Sequence, residues 1–150
     1  MLTKMAYKSG LIDSNILIYA YSEGSVFHHQ AEKFLDLILP EQQFFLSIQN
    51  LTEFYAIVTS PKRVPKPISE KLAKEKIEFM VTGGYFRIIT PSLVTPLTLI
   101  ELLKKNSVKA PEIFDLQLSA VMIDNNIDTI YTADPKIFRR LGLNAINPLK

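Results

Sequence analysis

Leu11-Ile-Asp-Ser-Asn-Ile-Leu-Ile-Tyr-Ala-Tyr21 changes character at its third residue. Leu11 and Ile12 predict a short buried strand, and the apolar run from Ile16 onward predicts a helix. Asp13, Ser14 and Asn15 occupy the junction, where their side chains can accept hydrogen bonds from the free N–H groups of a helix start. A strand that ends on an acid and turns directly into a helix is the opening of an α/β unit.

The pattern continues outward from there. Ala31, Phe34, Leu35 and Ile38 recur at helical spacing and predict a helix from about Val26 to Leu39, stopped by Pro40. Phe44 to Ser47 reads as a strand, and Leu51, Phe54, Tyr55 and Val58 mark a helix ending near Thr59. Residues 60–68 (SPKRVPKPI) hold three of the nine prolines and predict a loop. Ser69 to about Thr82 predicts a charged amphipathic helix closed by Gly83-Gly84. Beyond it come a strand at Tyr85–Ile89, helices at Ser92–Lys105 and Pro111–Asn125, a strand at Asp128–Thr132, a short helix at Pro135–Leu141 and a last strand at Asn144–Ile146. Strands separated by helices with short connections predict an α/β sandwich around a mainly parallel sheet. Right-handed crossovers place the strand C-terminal ends along one edge, where such sheets keep their sites.

A chain of 150 residues, 47% of them hydrophobic, is expected to form one domain over residues 1–150 with a real core, which excludes disorder as the main state. The formal charge of +2 is too small to draw nucleic acid globally, so polyanion binding requires local patches. The absence of cysteine excludes disulfides, thiolate zinc sites, iron–sulfur clusters and a cysteine nucleophile. No apolar run is long enough to span a bilayer, and the start, with Met1 and Met5 as alternative first residues, lacks a signal-peptide core. A cytoplasmic protein without membrane contact is the expectation.

Four acids break the core pattern. Asp13 interrupts an otherwise apolar stretch and needs a partner if buried; it is also a natural helix cap, and both readings can hold together. Asp115 lies in Ile113–Ile123, a segment apolar nearly all round, where an ionised carboxylate is costly unless compensated; a first-turn acid satisfying helix N–H groups is the alternative. At about 100° per residue, Glu112, Asp115 and Ser119 share one face with Met122. Asp134 falls just past a strand and before Pro135, at the same sheet edge as Asp13, and alone reads as a helix N-cap. Thr132 adds a hydroxyl nearby. Glu53 lies opposite the Leu51, Phe54, Tyr55, Val58 stripe, turned to a cavity or to solvent, with Gln49 and Asn50 one turn earlier.

Carboxylates converging on one edge repel one another, and a hard divalent cation is the usual remedy. Oxygen donors without thiolate or an imidazole cluster point to Mg²⁺ or Mn²⁺, and phosphodiester hydrolysis is the natural reaction of such a site.

The same residues resemble those of PIN-domain nucleases. The resemblance rests on Leu11-Ile-Asp-Ser-Asn-Ile-Leu-Ile-Tyr-Ala, on Asn50-Leu-Thr-Glu-Phe, on Glu112-Ile-Phe-Asp-Leu-Gln-Leu-Ser-Ala, and on Ile130-Tyr-Thr-Ala-Asp-Pro-Lys-Ile-Phe running to Ile146-Asn-Pro, in that order over almost the whole chain. It implies a PIN-like three-layer α/β/α sandwich, Asp13, Glu53, Asp115 and Asp134 as catalytic, metal-binding acids, and Mg²⁺- or Mn²⁺-dependent endoribonuclease activity. Ser14 and Asn15 would orient Asp13, and Ser14 or Thr132 would help to hold metal or water, with Glu112 in support. A chain of this length looks like a VapC-type toxin, which commonly forms a homodimer and is neutralised by an antitoxin whose tail enters the acidic groove. An RNA-processing PIN nuclease without an antitoxin, and an inactive RNA- or protein-binding domain, are the alternatives.

Lys62, Arg63 and Lys66, with the lysines that follow, either carry substrate phosphates or form a solvated face, since glutamates are interspersed. Arg139 and Arg140 sit within a turn or so of Asp134 and are placed to meet RNA. His28 and His29 are adjacent on a helix, diverge by about 100°, and read as surface residues. Tyr19, Tyr21, Phe54 and Tyr55 read as core or dimer packing. Neither a G-x-S-x-G nucleophile elbow nor a phosphate-binding glycine loop occurs.

Overall fold

A computed structural model describes residues 7–150 of the chain; the choice between Met1 and Met5 lies outside them. The elements run β1 (Leu11–Ile12), α1 (Ser14–Tyr21), α2 (His28–Ile38), β2 (Phe44–Ser47), α3 (Ile48–Val58), α4 (Glu70–Thr82), β3 (Phe86–Ile89), α5 (Thr95–Lys105), α6 (Ile113–Asp124), β4 (Thr129–Tyr131), α7 (Pro135–Arg140) and β5 (Asn144–Ile146). The five strands form one sheet in the order β3-β2-β1-β4-β5, and every neighbouring pair is parallel. The sequence predicts a mainly parallel sheet, and the structure has an all-parallel one.

Side-chain alternation along the strands separates two cores. Ile12, Phe44, Leu46, Phe86 and Tyr131 face one way and pack with Ile16, Phe34, Phe54 and Met80 from α1 to α4. Leu11, Ile89, Ile130 and Ala145 face the other way, onto Leu118, Val121 and Met122 of α6 and Phe138 of α7. Leu102 of α5 joins Leu116 and Ala120 of α6 in a smaller cluster outside this layer. The result is the three-layer α/β/α sandwich that the sequence predicts.

The departures from the predicted boundaries have local causes. Before α5, the Ser92 N–H donates to Thr95 Oγ1 and the Val94 N–H to Ser92 Oγ. These side chains occupy the backbone, so the helix starts three residues later than periodicity predicts. Pro111 opens a 3-10 turn, Ala110–Glu112, ahead of α6, and Pro40 sits within another, Leu39–Glu41, that follows α2. At the start of α3, Ser47 and Asn50 form a reciprocal cap that occupies the Asn50 carbonyl oxygen. Among the described residues no helix is long and apolar enough to cross a membrane.

The strand order fixes where a site can form. The chain builds outward from β1 through β2 to β3, then returns to place β4 on the other side of β1. The connections leaving β1 and β4 therefore diverge and open a crevice at their C-terminal ends. Asp13 follows β1 directly, and Asp134 lies three residues beyond β4.

Gly10 makes the close approach of β1 to β4 possible: a Cβ there would lie 2.7 Å from the Thr129 carbonyl oxygen, a backbone atom of the paired strand. Gly10→Ala is expected to cost about 1–3 kcal/mol, read as a lower urea midpoint at unchanged m-value.

Candidate active site

Asp13 is 8% exposed and sits between two elements that hold it in place. Its Oδ1 accepts from the Ser14 N–H at 2.8 Å, so it caps α1, and its Oδ2 accepts from Thr132 Oγ1 at 2.8 Å. Both sequence readings of this residue therefore apply at once. The Thr132 hydroxyl in turn accepts from Asn15 Nδ2 at 3.2 Å and from the Asp134 N–H at 3.1 Å, while Asn15 Oδ1 accepts from the Ala133 N–H at 3.2 Å. The donor and both lone pairs of Thr132 are thus used, which fixes its rotamer and, through it, the carboxylate.

Glu53 is half-buried on α3 and held from both ends. Its Oε2 accepts from Ser14 Oγ at 2.5 Å, and its Oε1 from Gln49 Nε2 at 2.9 Å. The second Gln49 amide proton reaches the Phe114 carbonyl at 3.0 Å, which ties α3 to the first turn of α6 beside Asp115. Asn50 does not take part, because the α3 cap consumes it.

Asp115 is half-buried on α6, and its carboxylate has no hydrogen-bond or ion-pair partner among the described residues. Ser119, one turn on, is fully buried and donates to the Asp115 main-chain carbonyl at 2.7 Å instead of to the carboxylate. Asp134 occupies the N-cap position of α7, yet its exposed side chain makes no capping hydrogen bond. The capping reading of Asp134 is thereby corrected: its carboxylate takes no N–H from the first turn of α7 and is left free.

Glu112, Asp115, Asp134, Lys136 and Arg139 line one cleft of about 490 Å³. Burial pushes the Asp115 carboxyl up to about 6, with the charges of Glu53, Asp134 and Glu112 adding to it. Burial likewise raises Asp13 to about 6; the Thr132 hydrogen bond opposes this, and Glu53 reinforces it. Glu112 goes the other way, lowered by the Lys109 N–H and by Arg140. Asp115 is thus within electrostatic reach of Asp13, Glu53 and Asp134, and Asp13 of Glu53. Among the described residues, no three acidic or imidazole groups already close on a single point in the manner of a finished metal site.

The donor set nonetheless suits a hard divalent cation: every donor is oxygen, and none of the four acids has an ion-pair partner among the described residues. Asp13, Glu53, Asp115 and Asp134 are the residues that would hold it.

The basic residues divide. Arg140 donates from Nη2 to Glu112 Oε1 and to the Ser107 carbonyl, both at 3.1 Å, so part of its guanidinium is engaged within the fold. Arg139 uses Nε on the Ala145 carbonyl and keeps the rest of its fork in the cleft. Lys136 lines the same cleft and escaped the sequence reading, since an exposed lysine after Asp-Pro carries no signal. Lys62, Arg63 and Lys66 are exposed and do not line this cleft. His28 differs from the expected surface residue: it is half-buried, with Nδ1 3.0 Å from the Tyr19 carbonyl.

The PIN domain family model matches residues 10–143. No curated protein matches the chain in sequence. The fold is similar to that of the Mycobacterium tuberculosis toxin VapC20, described as cleaving the sarcin-ricin loop, at 15% identity over 92% of this chain and 98% of that one, with a TM-score of 0.68. It is similar to VapBC2 from Rickettsia felis, solved with a DNA fragment from its promoter, at 20% identity over 91% and 96%, TM-score 0.63. A toxin–antitoxin complex from Klebsiella pneumoniae matches at 19% identity over 93% and 98%, TM-score 0.64.

The raised acids predict a pH dependence in metal-free buffer. A carboxyl whose folded value lies near 6, above its unfolded value, destabilises the fold when ionised, and the penalty is relieved as pH falls from above 6 towards 4. Asp115→Asn is expected to raise the melting temperature at pH 7.5, with the gain over wild type shrinking towards pH 4.5, as followed by circular dichroism. A loss of stability at pH 7.5 would show instead that the Asp115 charge supports the start of α6.

Proposed function

The chain belongs to the PIN domain family, and from that premise we propose that it is a divalent-metal-dependent endoribonuclease, the toxin of a VapBC-like toxin–antitoxin pair. The observation that carries the reading is the placement of two unpartnered carboxylates, Asp115 and Asp134, in a cleft beside the hydrogen-bonded Asp13–Ser14–Glu53 set. A fold that gained nothing from the half-buried Asp115 charge would neutralise or expose it.

Each residue has a task in this scheme. Thr132 and the Ser14 N–H aim Asp13, Gln49 aims Glu53, and the Ser14 hydroxyl spaces the two acids. Asp115 and Asp134 complete the oxygen donor set from α6 and from the turn before α7. A bound Mg²⁺ or Mn²⁺ supplies the positive charge that phosphodiester hydrolysis needs at its attacking and leaving oxygens. Arg139 and Lys136 offer cations to the RNA backbone at the cleft wall, without which the acids would repel it.

The partners follow from the same reading. The similar Klebsiella pneumoniae structure is a complex of a toxin with its antitoxin, and this chain is proposed to meet a cognate antitoxin in the cytoplasm. A homodimer is supported by the apolar surface at the start of α5, where Leu93 is 98% exposed and Val94, Leu97 and Ile100 stand beside it.

The test is cleavage of a mixed RNA pool by the purified protein with Mn²⁺, with Mg²⁺ and with EDTA. Cutting is expected with metal only, and Asp13→Asn or Asp115→Asn should lower it by roughly 100-fold or more. Ser14→Ala, which loosens Asp13 and Glu53 without removing either, should cost about 10-fold. Absence of both cutting and metal binding would leave a domain that only binds RNA or protein.

A further inference from the structure

A second cavity, of about 320 Å³, lies between α1 and the proline-rich segment 60–68. Tyr19, Ile57 and Pro65 give it apolar walls. Arg63 also lines it, exposed, with no side-chain hydrogen bond or ion pair among the described residues. Ser22 contributes a buried hydroxyl that has no hydrogen-bond partner. The cavity thus combines flat apolar surface with unspent polar groups.

It adjoins the acidic cleft. Asn15 lines the second cavity while its amide is bonded to Thr132 Oγ1 and to the Ala133 N–H, and Ala133 lines the acidic cleft. Tyr19 lies near enough to Asp134 that this charge, after burial, raises its phenol. The two spaces are therefore separated by little more than one hydrogen-bonded side chain.

We propose that this cavity is a nucleobase subsite beside the acidic cleft, taking a guanine whose faces lie against the apolar walls and whose O6/N7 edge meets Arg63. The assignment rests on the ribonuclease reading for its substrate class. Each alternative occupant leaves something unused. A phosphate gains nothing from apolar walls, and an aliphatic side chain leaves Arg63 unpaired. A heterocycle with apolar faces and a polar edge uses both. Among the purines, whose fused rings offer the larger faces to apolar walls, guanine alone presents two adjacent acceptors to a planar guanidinium fork, whereas adenine pairs an acceptor with a donor. Single-stranded RNA offers such a base because it can be splayed out of its stack.

The experiment separates base readout from general attraction and from cutting. A randomised single-stranded RNA pool is equilibrated with the full chain at low ionic strength in EDTA, and the retained strands are sequenced. Wild type is expected to enrich guanine at one position. Arg63→Lys keeps the charge but loses the fork, and should retain RNA comparably while the guanine preference falls by roughly 10-fold or more. Lys62→Ala should lower retention evenly across sequences and leave the enrichment in place. No retention, retention without guanine enrichment, or enrichment unchanged in Arg63→Lys overturns the subsite; the last two leave the cavity to a protein side chain. Metal-dependent cutting without base preference would remove the subsite alone. Guanine-selective retention by a protein that never cuts would remove the nuclease reading and keep the subsite.

Discussion

Asp13 has to be kept dry at the end of the central strand, and its position is set by groups that come from opposite ends of the chain. The Ser14 N–H supplies one hydrogen bond locally; Thr132 supplies the other from the strand paired beside it. A carboxylate withdrawn from water without these donors would cost several kcal/mol, so the pairing of β1 with β4 and the start of α1 are conditions for its burial. Through Thr132 the same constraint reaches Asn15, Ala133 and the Asp134 amide, and through Ser14 it reaches Glu53 on α3. One buried acid therefore sets the register of four segments.

The remaining acids differ in how the fold treats them. Glu53 and Glu112 are hydrogen-bonded and aimed, whereas Asp115 and Asp134 are left without partners. Arg140 explains part of the difference: it pairs with Glu112 at 3.1 Å and helps the Lys109 N–H to lower it, while the Glu112 charge still adds to the repulsion that raises Asp115. The cleft is lined both by acids, Glu112, Asp115 and Asp134, and by the basic Lys136 and Arg139 of α7.

The architecture was legible because its signals are local. Alternating strands and periodic helices stand in the sequence, and Leu11-Ile-Asp-Ser-Asn marks the strand-to-helix turn without any partner in view. Helix starts were read less well wherever side chains seize the backbone, as Ser92 and Thr95 do before α5. At the site, Asp13 and Asp115 stood out because acids in apolar runs are conspicuous. Asp134 read as a cap because Asp-Pro usually is one, and only the geometry shows its side chain free. The pairing of Arg140 had no sequence signal, because its partners, Ser107 and Glu112, lie about thirty residues away. The cavity beside Arg63 had no sequence signal at all, since α1, α3 and a loop meet there only after folding.

The position of β1 in the sheet has a consequence for how the molecule comes into being. β1 is central in space but early in sequence, and one of its two partners, β4, begins at Thr129. On a ribosome the core shared by α1 to α4 with β2 and β3 can gather as the chain emerges, yet Asp13 lacks its Thr132 donor and Asp134 is not yet made. The four carboxylates cannot meet until the chain as far as Asp134 has left the exit tunnel. The step that delivers β4 is thus also the step that assembles the acidic centre, and a chain cut short before Thr132 carries the early acids without the arrangement that would set them to work.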